Sequence, residues 1–296
     1  MRPGNASEGA IVKPIIERRN VVIRLAIAFF VLSTVAAWSD PGPVASDWHE
    51  GFNNKARLVA GRATRGQEPG LYAGVDVAMP DGWKTYWKSP GDAGGVPPDF
   101  DWQGSDNLAS ATVLYPAPHR LHDKAGDVVG YKNGGVLFPV LVTPKDASKP
   151  VTLHGKVSYG VCKDICIPAE AELQLVIPPD VGTSDELSKV LTEVPGVKPR
   201  PGIDPALAAW RLDQSSGKPK LVLDVETAAP PTADAFVEGP GGIYVPLPKR
   251  IKDDAGKAVF EVDLTDGVDI KDLKGKPLTV TMIDGKGQSE TTITLE

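Results

Sequence analysis

Apolar and polar residues alternate with a period of two along much of this chain. The pattern is clearest at residues 71–79, 136–142, 151–161 and 171–177. Successive side chains of a strand point to opposite faces of a sheet, so this alternation predicts half-buried β-strands. Turns rich in Pro, Gly and Asp separate the segments, as is typical of an antiparallel β-sandwich.

One helix is predicted between two such sets of strands. Thr183 and Glu186 have the spacing of a capping box, apolar residues follow at helical intervals, and Pro195 ends the segment. We therefore predict a connecting helix within residues 181–196. A Pro-rich linker begins at Val197.

Short alternating segments resume beyond this linker. They lie at residues 210–212, 221–225, 235–238, 243–247, 259–264, 278–283 and 291–295. About seven short strands in roughly a hundred residues match the size of an immunoglobulin-like sandwich. The predicted fold is therefore all-β, with two immunoglobulin-like antiparallel β-sandwich domains joined by the short helix and linker. The second domain, residues 197–296, has neither Cys nor His, and we interpret it as a scaffold or docking domain.

The first 39 residues have the parts of a secretory signal peptide. Basic residues precede an apolar run at 25–38, and Ala37 and Ser39 have the spacing of small cleavage-site residues. The run is shorter than the ~20 residues that a membrane-spanning helix needs. We therefore predict cleavage near Asp40 and a periplasmic location, with an uncleaved membrane anchor as the alternative.

Charge and motifs exclude several classes of function. The formal net charge is −6, and it becomes more negative without the basic signal peptide. An acidic chain with no basic run is poorly suited to bind nucleic acid. The sequence has no G-x-S-x-G, H-E-x-x-H or P-loop motif, so hydrolase, protease and nucleotide-dependent activities have no support. We expect no cofactor and no small-molecule substrate.

The two cysteines carry the candidate chemistry. Cys162 and Cys166 are the only ones in the chain and lie in a short polar turn between two predicted strands. In a compartment where thiols oxidise, such a pair indicates a disulfide or a set of metal ligands. Residues four apart on an extended strand are separated by about 13 Å, so a disulfide requires a turn, for which Lys163 and Asp164 are suited.

The ring that this disulfide would close is very small. A crosslink across a short loop removes little unfolded-state entropy, so the bond would be a weak staple. A strained and exposed bond is also easily reduced. The spacing alone leaves three interpretations open: a redox couple, a structural bond, and a metal site whose soft thiolates suit Cu(I).

A family resemblance adds to these observations. The chain reads Y-G-V-C-K-D-I-C-I-P-A-E-A from Tyr159, G-W-K-T-Y-W-K-S-P-G-D-A-G-G from Gly82, Y-P-A-P-H-R-L from Tyr115 and G-Y-K-N from Gly130. These segments resemble the N-terminal periplasmic domain of DsbD, the transmembrane thiol:disulfide reductase, and more closely its stand-alone or copper-tolerance-associated relatives. The resemblance covers residues 50–180, and on this basis we assign residues 40–180 to a thiol-disulfide interchange domain.

The resemblance implies an immunoglobulin-like domain whose cysteines take electrons from a thioredoxin-like donor. The acceptors would be periplasmic oxidoreductases, with cytochrome c maturation or copper tolerance as the setting. By position, Cys166 matches the cysteine that forms mixed disulfides with partners, and Cys162 matches the resolving one. The cysteine spacing is shorter than in DsbD itself. The transmembrane and thioredoxin-like portions have no counterpart here, so a membrane electron donor would act in trans.

The resemblance also implies a loop that shields the cysteines, at residues 118–121. Leu121 or a nearby aromatic residue would cover the sulfurs, and His119 or Arg120 would stabilise a thiolate. The alternative is a polar surface loop with an exposed histidine.

An aromatic run lies before this loop. Trp83 and Trp87 share strand parity and are predicted to pack in the core, whereas Tyr86 points the other way and is predicted to reach the cysteines. Asp92 is predicted to shape the Gly-rich turn that follows.

Copper binding is the main rival to redox chemistry. A Cys-x3-Cys pair with a distant His is similar to the ligand set of copper-delivery proteins, but those proteins have a thioredoxin fold, which the alternating pattern does not support. The histidines are dispersed, at His49, His119, His122 and His154. We therefore expect no metal and predict a thiol-disulfide oxidoreductase that relays reducing equivalents through Cys162 and Cys166. The alternatives are a Cu(I) metallochaperone that uses the same cysteines and a disulfide-stapled interaction module without redox turnover.

Overall fold

The computed structural model describes residues 41–123, 126–265 and 267–296 of the chain. The predicted signal peptide, residues 1–39, and its cleavage site near Asp40 lie outside these residues. The described part belongs to one compact unit. Within it, no helix has the length and apolar character needed to cross a membrane.

Strands dominate the described chain, in two sets separated by a helix. The first set is β1 Val44–Ala45, β2 His49–Gly51, β3 Asn54–Arg65, β4 Glu68–Tyr86, β5 Asp99–Asp101, β6 Leu108–Val113, β7 His119–Asp123, β8 Gly126–Pro144, β9 Val151–Cys162 and β10 Cys166–Ile177. The second set is β11 Ala206–Asp213, β12 Lys220–Glu226, β13 Asp234–Glu238, β14 Lys249–Asp254, β15 Lys257–Asp263, β16 Pro277–Ile283 and β17 Gln288–Thr294. Helices are α1 Asp185–Leu191 and α2 Ile270–Leu273, with 3₁₀ turns at Pro230–Thr232 and Pro240–Gly242.

Two long strands, β4 and β8, organise the first sandwich. β4 pairs antiparallel with β3 and with β8, and β8 also pairs with β6 and β7. β9 forms a hairpin with β10 and pairs with β5. The end of β4 pairs with the end of β9, where Lys84 lies opposite Cys162 and Thr85 opposite Val161. This pairing connects the β3, β4 and β8 strands to the β9–β10 hairpin, next to the cysteines.

The period-two pattern explains which face of each strand is buried. In β9, Leu153 and Val157 point into the core, and in β10 Leu173 and Leu175 do the same while their neighbours are exposed. Burying a large apolar side chain contributes about 1.5–3 kcal/mol, so a one-residue slip of either strand would be costly. The predicted all-β sandwich class is confirmed.

An aromatic cluster fills the centre of the first sandwich. The Phe138 ring meets the rings of Phe100, Tyr115 and Tyr131 edge-on, each at a centroid distance of 5.5 Å. Edge-to-face pairs of this kind add about 0.5–1.5 kcal/mol beyond area burial. These rings therefore contribute to the packing of the core of the first sandwich.

Helix α1 covers the first sandwich and starts one residue later than the capping-box prediction requires. Ser184, not Thr183, is the N-cap, because its side chain accepts a hydrogen bond from the Leu187 amide. Thr183 instead forms a parallel β-bridge with Arg62. Tertiary pairing thus moves the cap by one position, and Leu187 still becomes completely buried.

The second sandwich has one four-stranded sheet, β11-β12-β15-β14, and one three-stranded sheet, β13-β16-β17. The strand predicted at 243–247 is wrong: this segment is irregular, although Val245 and Leu247 are buried. The strand β14 was not predicted, because all six of its residues are exposed and no apolar alternation marks it.

The two sandwiches meet along β13. Ala235 and Val237 point into the second core, whereas Phe236, between them, belongs to the core of the first sandwich. The Phe236 ring lies 5.7 Å from the Trp87 ring, centroid to centroid. One short strand therefore contributes to both cores.

Candidate thiol–disulfide site

The β9–β10 hairpin ends at the two cysteines. Cys162 closes β9, Cys166 opens β10, and the two are register partners joined by a disulfide. The chain reverses at Lys163 and Asp164, where a turn was predicted, and the Lys163 amide donates to the Ile165 carbonyl at 3.1 Å. The tight turn thus brings together two sulfurs that an extended strand would hold apart.

The two sulfur-bearing residues differ in exposure. Cys162 is 1% exposed, whereas Cys166 is exposed, as is the turn that precedes it. A thiolate from another protein can therefore approach Cys166 from solvent but not Cys162. One sulfur of the disulfide is therefore accessible and the other is protected.

The hydroxyl of Tyr86 contacts both sulfurs. It lies 3.0 Å from Cys162 Sγ and 3.1 Å from Cys166 Sγ, and the tyrosine is 3% exposed. The sequence predicted that Tyr86 reaches the cysteines. Two glycines that hold its ring were not predicted: a Cβ at Gly95 would overlap the ring, and one at Gly160 would lie 3.0 Å from it.

The environment of Tyr86 keeps its hydroxyl protonated. Burial raises the tyrosine pKa, and the nearby Asp123 carboxylate raises it further. Asp123 also forms an ion pair with Lys84, the register partner of Cys162. A protonated hydroxyl is a donor, so Tyr86 can donate a hydrogen bond to sulfur.

Leu121 helps to bury Cys162. It is buried and packs with Tyr86, Val128 and Cys162, with Ala93 at the edge of this group. Strand β7 holds Leu121 here by pairing with β8, where Leu121 lies opposite Val128. Leu121 therefore lies beside Cys162, and its role in shielding the sulfurs stays a prediction.

The structure places Arg120 against the second sandwich and His119 at the surface. Arg120 donates to Asp234 through Nε at 2.9 Å and through Nη2 at 2.7 Å, and to the Pro248 carbonyl at 2.9 Å. Adjacent residues of a strand point to opposite faces, so Leu121 faces the disulfide and Arg120 faces the second sandwich. His119 is exposed and lines surface clefts with Tyr131. Because both sulfurs are in the disulfide, the stabilisation of a thiolate by His119 or Arg120 stays a prediction.

The aromatic run and its turn have further contacts. Trp87 is buried in the core as predicted, and Trp83 is half-buried, packs against the same core and meets the Phe52 ring. Asp92 accepts hydrogen bonds from the Tyr244 hydroxyl at 2.7 Å and from the Leu247 amide at 2.9 Å. These partners are in the second sandwich, and the turn prediction did not include them.

Metal ligation has little geometric support in the described residues. Across those ranges, no three His, Cys, Asp or Glu side chains cluster so that they could hold an ion together. Both sulfurs are engaged in the disulfide.

The two family matches lie on either side of helix α1. Residues 58–178 match the family described as "Thiol:disulfide interchange protein DsbD, N-terminal". Residues 193–296 match a family described as a "Domain of unknown function (DUF8393)". Among curated proteins, no sequence matches the chain.

A solved structure shares the fold of both sandwiches. The crystal structure of the N-terminal periplasmic domain of ScsB from Proteus mirabilis is 19% identical with a TM-score of 0.65, covering 85% of this chain and 98% of that chain. A marsupial T cell receptor is 10% identical with a TM-score of 0.23, covering 85% of this chain and 100% of its own. Dpr2 Ig1–Ig2, in its complex with DIP-Theta, is 11% identical with a TM-score of 0.22, covering 86% and 99%. The last two scores are too low to carry an argument.

Proposed function

We propose that this chain relays reducing equivalents between periplasmic proteins. Its residues 58–178 form a DsbD N-terminal-like domain of the thiol:disulfide interchange family. Cys162 and Cys166 would take electrons from a thioredoxin-like donor, itself supplied by a membrane protein, and pass them to periplasmic acceptors. The observation that carries the proposal is the asymmetry of the disulfide, with Cys166 exposed, Cys162 buried and the Tyr86 hydroxyl against both.

The proposed loading step is a thiol–disulfide exchange at Cys166. A donor thiolate attacks Cys166 Sγ, a donor–Cys166 bond forms, the Cys162–Cys166 bond breaks, and Cys162 Sγ leaves with the electron pair as a thiolate. The donor's second thiol loses its proton and attacks the donor sulfur of the mixed disulfide, which releases Cys166 as a thiolate. The donor ends as a disulfide, and the two cysteine thiolates take up two protons, one released by the donor's second thiol and one from solvent, so that the pair ends as two thiols that hold the two electrons.

Tyr86 is the catalytic residue of this proposal besides the cysteines. Its hydroxyl donates to the leaving Cys162 sulfur, and hydrogen bonds to an ionised acceptor are about twice as strong as neutral ones. A better-stabilised leaving thiolate departs faster. In the unloading step the roles reverse: the Cys166 thiolate attacks the acceptor disulfide, and Cys162 then displaces the acceptor.

Partner docking is supported by exposed apolar side chains on the segments next to the cysteines. Ile165, in the turn before Cys166, is 68% exposed, and Val96, whose carbonyl accepts from the Gly160 amide, is 45% exposed. Exposed apolar side chains that lie together are typical of the centre of protein–protein contact sites. The leader pattern of residues 1–39 and the periplasmic setting of the ScsB domain support a periplasmic location.

Equilibration of the purified protein with glutathione redox buffers and with reduced thioredoxin tests the proposal. We expect reversible reduction, with one thioredoxin oxidised for each disulfide opened. A bond that stays oxidised in buffers poised below about −300 mV would indicate a structural staple instead. Stoichiometric Cu(I) binding by the reduced protein, without thiol exchange, would favour the metallochaperone.

A further inference from the structure

We infer that the second sandwich positions Tyr86 and Leu121 over the disulfide, and that Phe236, Asp234 and Tyr244 are its positioning residues. The inference rests on the proposed function and assigns a role to residues 193–296, which match a family of unknown function. Three separate contacts carry it, and each is made close in sequence to a residue that touches the sulfurs or the Tyr86 ring.

The first contact adjoins Tyr86. Trp87, the next residue, packs against Phe236 of β13, and both side chains are 1% exposed. Lys88 then forms an ion pair with Glu238 of the same strand, with Nζ and Oε2 2.8 Å apart. Because Phe236 and Glu238 are two residues apart on β13, they present one face to this segment. The backbone that carries Tyr86 is therefore fixed from the second sandwich.

The second contact adjoins Leu121. Arg120, the preceding residue, grips Asp234 through two nitrogens, and both side chains are largely buried, at 16% and 20% exposure. A bidentate guanidinium–carboxylate pair fixes orientation as well as distance. The same guanidinium donates to the Pro248 carbonyl. Strand β7 is thus held in the position that places Leu121 on the disulfide.

The third contact holds the loop that closes over the Tyr86 ring. Gly95 packs against this ring, and three residues earlier Asp92 accepts from the Tyr244 hydroxyl and the Leu247 amide. Leu247 itself belongs to the core of the first sandwich. The loop therefore cannot move away from Tyr86 without breaking its contacts with the second sandwich.

These contacts converge on the distance between the Tyr86 hydroxyl and Cys162 Sγ. If they loosen, the hydroxyl loses its fixed position 3.0 Å from the leaving sulfur, and exchange slows. If the second sandwich only stabilised the fold, removing these contacts would change the exchange rate to the same extent with or without the Tyr86 hydroxyl. Double-mutant cycles separate these cases, since two changes that act through one contact are not additive.

The experiment compares Phe236→Leu with Phe260→Leu. Both phenylalanines are 1% exposed, but Phe236 touches Trp87 and Phe260 lies in the core of the second sandwich alone. The readout is the native-state rate at which dithiothreitol reduces the disulfide. We expect Phe236→Leu to slow this about threefold, near the lower end of couplings between residues in contact, and Phe260→Leu to leave it unchanged. In a Tyr86→Phe background, Phe236→Leu should slow it no further.

A second pair of variants avoids a change of core volume. Asp234→Asn removes the charge opposite Arg120, and Glu261→Gln does the same for the Lys220–Glu261 pair in the other sheet of the second sandwich. Only Asp234→Asn should slow reduction. Equal slowing by target and control variants, or additive slowing in the Tyr86→Phe background, would overturn the inference. A wild-type disulfide that resists exchange altogether would instead overturn the proposed function.

Discussion

The two sandwiches have the same kind of fold but different interiors. The first contains both cysteines and five of the six tyrosines, and its core is built around aromatic rings that meet Phe138. The second has a mostly aliphatic core: among its described residues, the buried cluster contains one aromatic side chain, Phe260. The cysteine pair for which we propose redox chemistry therefore lies in the first sandwich, whereas aliphatic packing accounts for the described interior of the second.

The surfaces that meet are as different as the interiors. The first sandwich contributes the cations Arg120 and Lys88. They form ion pairs with Asp234 and Glu238, which lie on one face of β13 in the second sandwich. Paired charges specify orientation more than they add affinity. On our inference, this difference means that the second sandwich, without cysteines of its own, contributes to exchange by fixing the strands and loop that carry the site residues.

The strongest expected difference is between the two cysteines. In Cys162→Ser, the exposed Cys166 should form a stable mixed disulfide with oxidised glutathione, because no resolving thiol remains. In Cys166→Ser, the buried Cys162 should form the adduct about tenfold more slowly or not at all, since local opening must expose it first. Intact-protein mass spectrometry measures both rates. Equal adduct formation would contradict the assignment of Cys166 as the partner-facing sulfur.

Core truncation compares the two sandwiches directly. Phe138→Ala and Phe260→Ala should each cost about 3–5 kcal/mol of unfolding free energy, because each leaves a cavity in a close-packed core. Since Phe236 and Leu247 link the second sandwich to the core of the first, we expect one cooperative transition in urea for both variants. Tryptophan fluorescence and circular dichroism should report the same midpoint. Two separated transitions would show that the sandwiches unfold independently.

Alternation along the sequence accounts for most of the fold and for part of the site. The strands of the β9–β10 hairpin, its turn and the direction of Tyr86 follow from side-chain parity, which is a local property. The sequence did not show that Arg120 and Asp92 bind the second sandwich, because those pairs join residues more than a hundred positions apart. A charged residue in the sequence can be exposed to solvent or can bind a partner in another domain. Only the folded structure shows which of the two holds.

The glycines around Tyr86 and the strand β14 show two other limits. Gly95 and Gly160 are required by a ring that arrives from another strand, and nothing near them in sequence indicates that ring. β14 is exposed throughout and pairs with β15 along its backbone, so it lacks the apolar signal on which the prediction depended. Backbone hydrogen bonds define such an edge strand, and side-chain patterns do not report them.

Replacing the tyrosine hydroxyl should give a moderate effect confined to the first sandwich. Tyr86→Phe keeps the ring between Gly95 and Gly160 but removes the donor to both sulfurs. Hydrogen bonds to charged groups are worth about 1.5–3 kcal/mol, so reduction by dithiothreitol should slow about tenfold or more. Tyr131→Phe is the matched control: it removes a buried hydroxyl of the same sandwich that donates to the Pro116 carbonyl, and it should leave the rate nearly unchanged. An equal or larger effect at Tyr131 would contradict the donor role of Tyr86.

The smallest expected effect is the response of the first sandwich to alkaline pH. Burial raises the pKa of Tyr115 and of Tyr159 to about 12, above the value of about 10 in an unfolded chain. The folded state therefore holds these protons more tightly, so this contribution to stability is complete below pH ~10 and is lost as the pH rises toward about 12. Tyr159→Phe loses the hydrogen bond from the hydroxyl to Asn54 Oδ1 at every pH, which lowers stability by a constant amount. It should nevertheless lose less than wild type between pH 9 and pH 10.5, by under about 1 kcal/mol, in urea titrations at each pH. Parallel losses in the two proteins would show that the Tyr159 hydroxyl does not titrate differently in the folded and unfolded states.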